Sequence, residues 1–192
     1  MALILASASP RRKRLLREIA RTFRAMRAGV DERMKRGEGF AAACRRLARE
    51  KARAVSAKNP GATVLGADTI AYMGRRAFRK TDDAREARRI LRALSGKAHT
   101  VATGVCVVFP DGKGSAYCEK SVVRMKKLSA RVIDRYIKSG EWRGRAGSYD
   151  ISGKGRRLVE SVRGEKETVA GLPLKKLKAL LGREGNGSAN HP

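Results

Sequence analysis

The sequence predicts an α/β fold, a mixed twisted sheet flanked by helices, and three observations carry that prediction. Short apolar runs alternate with stretches of helical spacing through the first half of the chain. The middle holds two long β-rich runs joined by Pro110-Asp111-Gly112-Lys113-Gly114, which reads as an antiparallel hairpin. At 192 residues, 42% of them hydrophobic, the chain is long enough to bury one sizeable core. Alternation favours parallel pairing and a hairpin imposes antiparallel pairing, so the sheet must be mixed. No repeat or linker divides the chain, and residues 1–182 are expected to form one domain. The polar stretch 183–192, rich in Gly and Asn, is expected to be a disordered tail.

Leu3 to Ala6 reads as a buried strand feeding a helix that starts at Ser9-Pro10, with Leu15, Leu16, Ile19 and Phe23 at helical spacing. Thr22 to Val30 follows as a second strand that ends on Asp31-Glu32, and residues 33–39 form a polar loop. Phe40, Ala43, Cys44, Leu47, Ala48, Lys51 and Val55 then mark an amphipathic helix. Lys51 occupies an apolar register there, where a lysine snorkelling at the rim is the ordinary explanation. After the break at Asn59-Pro60-Gly61, Thr63 to Ala67 reads as a buried strand with Asp68-Thr69 at its carboxyl end, extendable through Tyr72 to the turn at Gly74. Ligands of open α/β sheets bind beyond such ends.

Asp82-Asp83 with Glu86 has the interval of a capping box and opens a helix through Leu94 that Ser95-Gly96 closes. His99 to Phe109 and Ser115 to Met125 are the hairpin strands. Ser129 caps a further helix, with Val132, Ile133, Tyr136 and Ile137 directed inward and Gly140 as its stop. Five glycines punctuate residues 140–155, around Trp142 and Tyr149; such a loop either lines a site or simply turns at the surface. Leu158 to Val162 reads as a last strand, and a short helix starts after Gly171-Leu172-Pro173.

The chain carries 45 basic against 18 acidic residues, a net charge of +27. Three explanations fit: a nucleic-acid partner, an anionic small substrate steered by the field, or an arginine-rich coding bias. The basic residues are spread along the chain and do not choose among them. Cys44, Cys106 and Cys118 show no CxxC pairing and no His at metal spacing, which fits small buried thiols in a reducing compartment. No apolar run is long enough to span a membrane and no secretory leader is visible, so a cytoplasmic location is expected.

Ser7-Ala-Ser-Pro-Arg-Arg12 stands where a strand hands over to a helix N-terminus, whose free N–H groups and dipole suit an anion. Ser7, Ser9, Arg11 and Arg12 add hydroxyls and fixed charge at that point. Taken alone, the same residues are also an ordinary helix cap beside two arginines.

Eight segments, in order, give the chain a resemblance to the Maf-like nucleoside triphosphate pyrophosphatases. They are Leu5-Ala-Ser-Ala-Ser-Pro-Arg-Arg12, Asp31-Glu32, Arg46-Leu-Ala-Arg-Glu-Lys-Ala52, Gly66-Ala-Asp-Thr69, Lys80 with Glu86 to Gly96, His99 with Thr103-Gly104, Ala146-Gly-Ser-Tyr149 and Val169 to Leu174. The resemblance implies an elongated fold with a central cleft, similar to inosine triphosphate pyrophosphatases. It implies hydrolysis of a nucleoside triphosphate to a monophosphate and pyrophosphate, with a divalent metal cofactor, Mg²⁺ or Mn²⁺. Asp68 is then the expected general base, and Ser7, Arg11, Arg12, Lys51 and Lys80 the phosphate contacts. Glu32 becomes a further active-site carboxylate, joining Asp68 at the metal. In the branch acting on dTTP and UTP, Arg11, Thr69 and a late-loop Gln mark substrate preference. Arg11 and Thr69 match, whereas Ser152 stands where that Gln is expected. Thr81 follows Lys80 in place of the usual Pro, which is expected to loosen the loop, and Arg145 replaces the usual Lys before Ala-Gly. A 7-methyl-GTP-type substrate is one alternative. A regulatory septum-formation or nucleic-acid-binding role is another, ranked lower. A second copy of the chain is an admissible partner and a membrane is not.

Overall fold

The computed structural model describes residues 2–186. Among them are seven strands: β1 (Leu3–Leu5), β2 (Arg24–Ala25), β3 (Thr63–Met73), β4 (Arg76–Phe78), β5 (Ala98–Val108), β6 (Gly114–Met125) and β7 (Val159–Arg163). The helices are α1 (Pro10–Arg17), α2 (Phe40–Ser56), α3 (Ala84–Leu94), α4 (Ala130–Lys138), α5 (Lys166–Ala170) and α6 (Leu174–Asn186). The strands form one mixed sheet in the order β2-β1-β3-β5-β6-β7, with β4 paired to β3. β1 runs parallel to β2 and β3, and every other pairing is antiparallel. This is the mixed α/β sheet expected from the alternation and the hairpin.

Period-two alternation assigns the two faces of the sheet. Leu65, Ala67 and Ala71 of β3 and Val101, Val105 and Val107 of β5 face the larger core. There they meet Leu15 and Leu16 of α1, Ile90, Leu91 and Leu94 of α3, Ile133 and Tyr136 of α4, and Leu177 of α6. Val64, Cys106 and Val108 face the other way, against Ala48, Ala52 and Val55 of α2. Two glycines let α2 lie unusually close to that second face. A Cβ at Gly104 would collide with the Cys44 carbonyl and come within 2.6 Å of the Arg45 nitrogen. One at Gly66 would strike the Ala48 carbonyl oxygen and lie 2.7 Å from the Ala52 nitrogen. Cys44, Ala48 and Ala52 recur every four residues, so a small-residue stripe of the helix seats on these two bare positions.

Several elements differ from expectation. α1 stops at Arg17, so Ile19 and Phe23 pack on the core as partly buried residues of the following coil. The second strand shrinks to two residues, leaving Asp31 and Glu32 in irregular chain. β3 is continuous, which places Asp68 and Thr69 in its middle and not at its end. The capping box at α3 does not close: Asp83 caps the Arg85 N–H at 2.8 Å, and Glu86 pairs with Arg89. Val132 is 39% exposed, not inward. β4 and α5 had no expectation attached to them. α6 runs to Asn186, past the boundary set at 182, and positions 187–192 lie outside the described residues. The three cysteines are free, with Cys118 only half-buried. Among the described residues no helix is long and apolar enough to cross a membrane.

The glycine-punctuated loop is tied to the sheet by His99. Its Nε2 lies 2.9 Å from the Tyr149 hydroxyl and the two rings meet edge to face. Burial pushes the imidazole down from its usual 6.5 to about 4.

Two predictions follow from this packing. Between pH 4 and 6.5 the unfolded chain binds a proton at His99 that the folded chain refuses, so stability is full above this window and falls as pH drops through it. The contribution is at most about 3 kcal/mol. Urea midpoints for His99→Gln across that range should show a flatter acid limb; an unchanged slope sinks the assignment. Gly104→Ala should lower stability by about 3 kcal/mol, the upper end of overpacking costs, because the obstacle is helix backbone. Thermal unfolding of this variant within a degree or two of wild type would contradict the seating of α2.

Candidate active site

β3 has one edge shared between two short partners. β1 pairs with Thr63 to Leu65 and β4 with Ala71 to Met73, so the edge between them, residues 66–70, has no strand partner among the described residues. The chain leaving β1 toward α1 passes this gap. Ser9 caps α1 by accepting from the Arg12 N–H, and the Ser9 N–H itself donates to Ser7 Oγ at 3.2 Å.

Arg12 is buried at this junction and joins three elements. Its Nε donates to the Gly171 carbonyl at 2.9 Å, Nη2 to Thr69 Oγ1 at 3.0 Å and Nη1 to Ser7 Oγ at 3.4 Å. Thr103 Oγ1 donates its one hydrogen to the Thr168 carbonyl at 2.7 Å, so the contact with Thr69 at 3.0 Å must run from the Thr69 hydroxyl to Thr103. Thr69 therefore spends its donor on the protein and holds Arg12 with a lone pair. A guanidinium has five N–H groups, so two of Arg12's remain for a ligand. Burial lowers the Arg12 guanidinium against the opposing pull of Asp68 and Glu32.

On the α2 side of β3, the Lys51 ammonium donates to Asp68 Oδ1 at 2.6 Å and lies 2.7 Å from Glu32 Oε1. Lys51 and Asp68 have side chains only 5% and 4% exposed, so Lys51 is a buried ion-pair partner and not a rim residue. Lys80, on the coil after β4, lies 3.6 Å from Glu32 Oε2. Burial works against ionisation of Glu32, but the Lys51 hydrogen bond and the Lys80 charge outweigh it and hold the carboxyl below its usual range. Burial and then repulsion from Arg12 lower the Lys80 ammonium. Thr81 does not loosen this segment. Its carbonyl accepts from the Gly144 N–H at 3.2 Å and its hydroxyl from the Asp83 N–H at 3.0 Å.

A third group pairs two of the arginines at the cleft with Asp150, which itself lines neither lobe. Asp150 Oδ1 lies 3.8 Å from Arg11 Nη1, and Oδ2 lies 3.3 Å from Arg145 Nε. Burial, followed by repulsion from Arg145, brings the Arg11 guanidinium down to about 10.

The gap opens into a cavity of about 350 Å³ lined by Ser7, Arg11, Arg12, Arg27, Lys51, Lys80 and Arg145, with Glu32 as the carboxylate in its wall. A second lobe of about 280 Å³ contains Asp68 and shares Glu32, Thr69, Lys80 and Ala146 with the first. Of the residues nominated from sequence, these two lobes bring together Ser7, Arg11, Arg12, Glu32, Lys51, Asp68, Thr69 and Lys80. Ser152 is exposed and lines neither; its N–H donates to Asp150 Oδ1 at 3.0 Å. Arg27 and Arg145, which also line the first lobe, were not nominated, and neither was Asp150, which pairs with Arg11 and Arg145 but lines neither lobe. For Arg145 and Asp150 the signal was their place in the glycine-rich loop; for Arg27 there was none.

The fold and site together define an α/β protein whose split sheet edge holds a strongly cationic cleft beside one buried and one half-exposed carboxylate. The Ham1 protein of Staphylococcus aureus shares the fold, with a TM-score of 0.51 at 12% identity over 96% of this chain and 100% of that one. The family model for Maf-like protein matches residues 2–184, and the chain belongs to that family. It is 43% identical over 190 residues to the dTTP/UTP pyrophosphatase of Agrobacterium fabrum, covering 95% of this chain and 92% of that protein. It is 41% identical to the nucleoside triphosphate pyrophosphatase of Anaplasma phagocytophilum, covering 94% of each.

Removing one member of a buried pair strands the other as an uncompensated charge. Lys51→Met should therefore cost about 3–5 kcal/mol in urea unfolding, and Lys51→Met with Asp68→Leu should regain most of it. A single variant as stable as wild type would show that the pair is solvated in solution.

Proposed function

We propose that the chain is a nucleoside triphosphate pyrophosphatase. It hydrolyses the anhydride between the α and β phosphates, with dTTP and UTP as its substrates. One observation carries the reading: six cationic side chains line a cavity that adjoins the buried Asp68–Lys51 pair and the half-exposed Glu32 that joins it. A triphosphate brings about four negative charges, and a field of fixed cations suits it before and during bond breaking. The relatives named above, two triphosphate pyrophosphatases, support the same chemistry.

Asp68 is the proposed base. Lys51 fixes Asp68 Oδ1, leaving Oδ2 and the remaining lone pairs to orient a water and take its proton. As the water oxygen bonds to phosphorus, the bridging oxygen leaves with its electron pair on pyrophosphate. Arg12 and Lys80, with Ser7, would hold the phosphates, and Arg12 in turn is held by Thr69 and Gly171.

Among the described residues no three His, Cys, Asp or Glu side chains gather into a metal cage. Two carboxylates converging on Lys51 nevertheless offer the hard oxygen donors that Mg²⁺ or Mn²⁺ prefers, to be completed by phosphate and water. Glu32 and Asp68 would hold the ion, which would supply charge neutralisation at the phosphates.

Purified protein with Mg²⁺ should release pyrophosphate, not orthophosphate, from dTTP and UTP, and a chelator should stop it. Asp68→Asn should lose about 10²–10⁴ in kcat. Undiminished turnover in that variant would remove Asp68 from the mechanism; orthophosphate as the first product would overturn the reaction class.

A further inference from the structure

Resting on the pyrophosphatase reading, we propose that Arg46 is a positioning residue for the cleft. It clamps the coil between β2 and α2 onto the helix and so delivers the Glu32 carboxylate to Lys51 and Asp68.

Glu32 needs such a device because burial does not hold it. It lies in irregular chain, and its side chain is half-exposed. No residue from Gly29 to Gly39 belongs to either hydrophobic core. Within 31–39 only Met34 and Glu38 are even partly covered. A segment with so few apolar contacts opens at little cost unless polar contacts fix it.

Those polar contacts converge on Arg46. Its Nε and Nη2 grip the Glu38 carboxylate as a fork, at 2.8 and 2.7 Å. Nη2 also donates to the Arg33 carbonyl at 3.1 Å, and Nη1 to the Glu50 carboxylate at 3.1 and 3.2 Å. Each grip holds a closed turn. Glu38 accepts from the Lys35 N–H at 3.1 Å and donates its own N–H to the Lys35 carbonyl. Asp31 accepts from the Arg33 N–H at 3.0 Å, which braces the turn that contains Glu32. The Arg33 carbonyl, one residue beyond Glu32, is therefore pinned to the same helix whose Lys51 takes the Glu32 side chain. Arg46 and Lys51 stand five residues apart, about 7.5 Å along the helix axis.

The clamp is sheltered. The Arg46 and Glu38 side chains are 19% and 13% exposed, which spares the pair much of the screening that weakens a surface bridge. Their hydrogen bond holds the Glu38 carboxyl below its usual range and raises the Arg46 guanidinium. A lysine at this position would keep the charge but could not form the fork.

Arg46 lines neither lobe of the cleft. It faces a separate cavity of about 430 Å³ with Asp31, Arg33, Met34, Lys35 and Glu50. Arg33 and Met34 line both this cavity and the lobe that contains Asp68, so the coil is the partition between the two. A group behind that partition acts on the reaction only by placing one in front of it. Bracing α2 is not its main task, since the Cys44, Ala48 and Ala52 stripe already seats the helix on Gly66 and Gly104. Two of its three partners, Glu38 and Arg33, lie outside the helix altogether.

The test measures kcat and KM for dTTP, and amide hydrogen exchange of the protein without nucleotide. The variants are Arg46→Lys, Glu38→Gln, Glu32→Gln, and Arg46→Lys combined with Glu32→Gln. Arg46→Lys and Glu38→Gln should each lower kcat about 10–100-fold with KM within about twofold, the size expected of a misplaced reacting group. Exchange across 31–39 should quicken about tenfold while α2 keeps its protection. In the Glu32→Gln background, Arg46→Lys should cost less than about a further twofold, because both losses share one cause. An undiminished loss in that background, unchanged exchange in the coil, or wild-type kcat in both clamp variants overturns the proposal. So does lost protection in α2, which would make Arg46 a brace of the helix. Glu38→Gln, outside the helix, carries the test if Arg46→Lys fails to fold. A wild-type protein that releases no pyrophosphate overturns the pyrophosphatase reading and this proposal with it; an active wild type with indifferent variants overturns this proposal alone.

Discussion

The buried contact between Lys51 and Asp68 exists because α2 can sit almost directly on the sheet. Gly66 and Gly104 remove the two side chains that would hold the helix off, and Cys44, Ala48 and Ala52 present the small residues that fill the space. A lysine one turn along is then delivered to a carboxylate at 2.6 Å with almost no water between them. Burying such a pair costs desolvation on both sides, and it stands only if the geometry is fixed and the pair is further paired. Glu32 supplies that further contact from the coil that arches over α2. The helix seat, the ion pair and the position of Glu32 are thus one structural decision.

A second consequence is a site under electrostatic tension. Burial, with repulsion from neighbouring cations, depresses Arg11 and Lys80, and burial depresses Arg12. Glu32 and Asp150 offset part of this excess, each shared between two cations. The fold carries that cost through its rigid parts: the Arg12 contacts to Ser7, Thr69 and Gly171, and the loop pinned by His99 and Tyr149. An anionic ligand would relieve the repulsion, so the tension that lowers stability is the same term that favours binding.

Legibility in the sequence followed the strength of local periodicity. α2, β5 and β6 stood out because each repeats its pattern over eleven or more residues. β4 and α5 are three and five residues long, too short to show a period, and they are held by pairing with β3 and by packing that no local pattern encodes. The apolar recurrence through Ile19 and Phe23 imitated a longer helix because coil residues can pack on a core at the same spacing. Lys51 was legible as an anomaly but not as an ion-pair partner, since its partner lies 17 positions away on another element. The groups gathered in the cavity were legible mainly through their motif segments. Asp150, outside both lobes, showed only its place in the glycine-rich loop, because the arginine it pairs with, Arg11, lies most of the chain away. Ser152 drew attention by its position in the motif, and its side chain turned out to face solvent.

The mid-strand position of Asp68-Thr69 is itself informative. Successive residues of a strand point to opposite faces, so Asp68 turns toward α2 and Lys51 while Thr69 turns toward Arg12 and Thr103. At the carboxyl end of a strand either residue could swing to suit a ligand. Here β5 is paired along the whole stretch, and neither can move without breaking the ladder. The free edge between β1 and β4 is what lets one ligand reach both faces at this point. One dipeptide therefore sets the spacing between the wall that carries Asp68 and Lys51 and the wall that carries Thr69 and Arg12. A shift of a single residue in the β3–β5 register would exchange the two faces and dissolve the site, which makes the strand ladder, and not the loops, the ruler of the cleft.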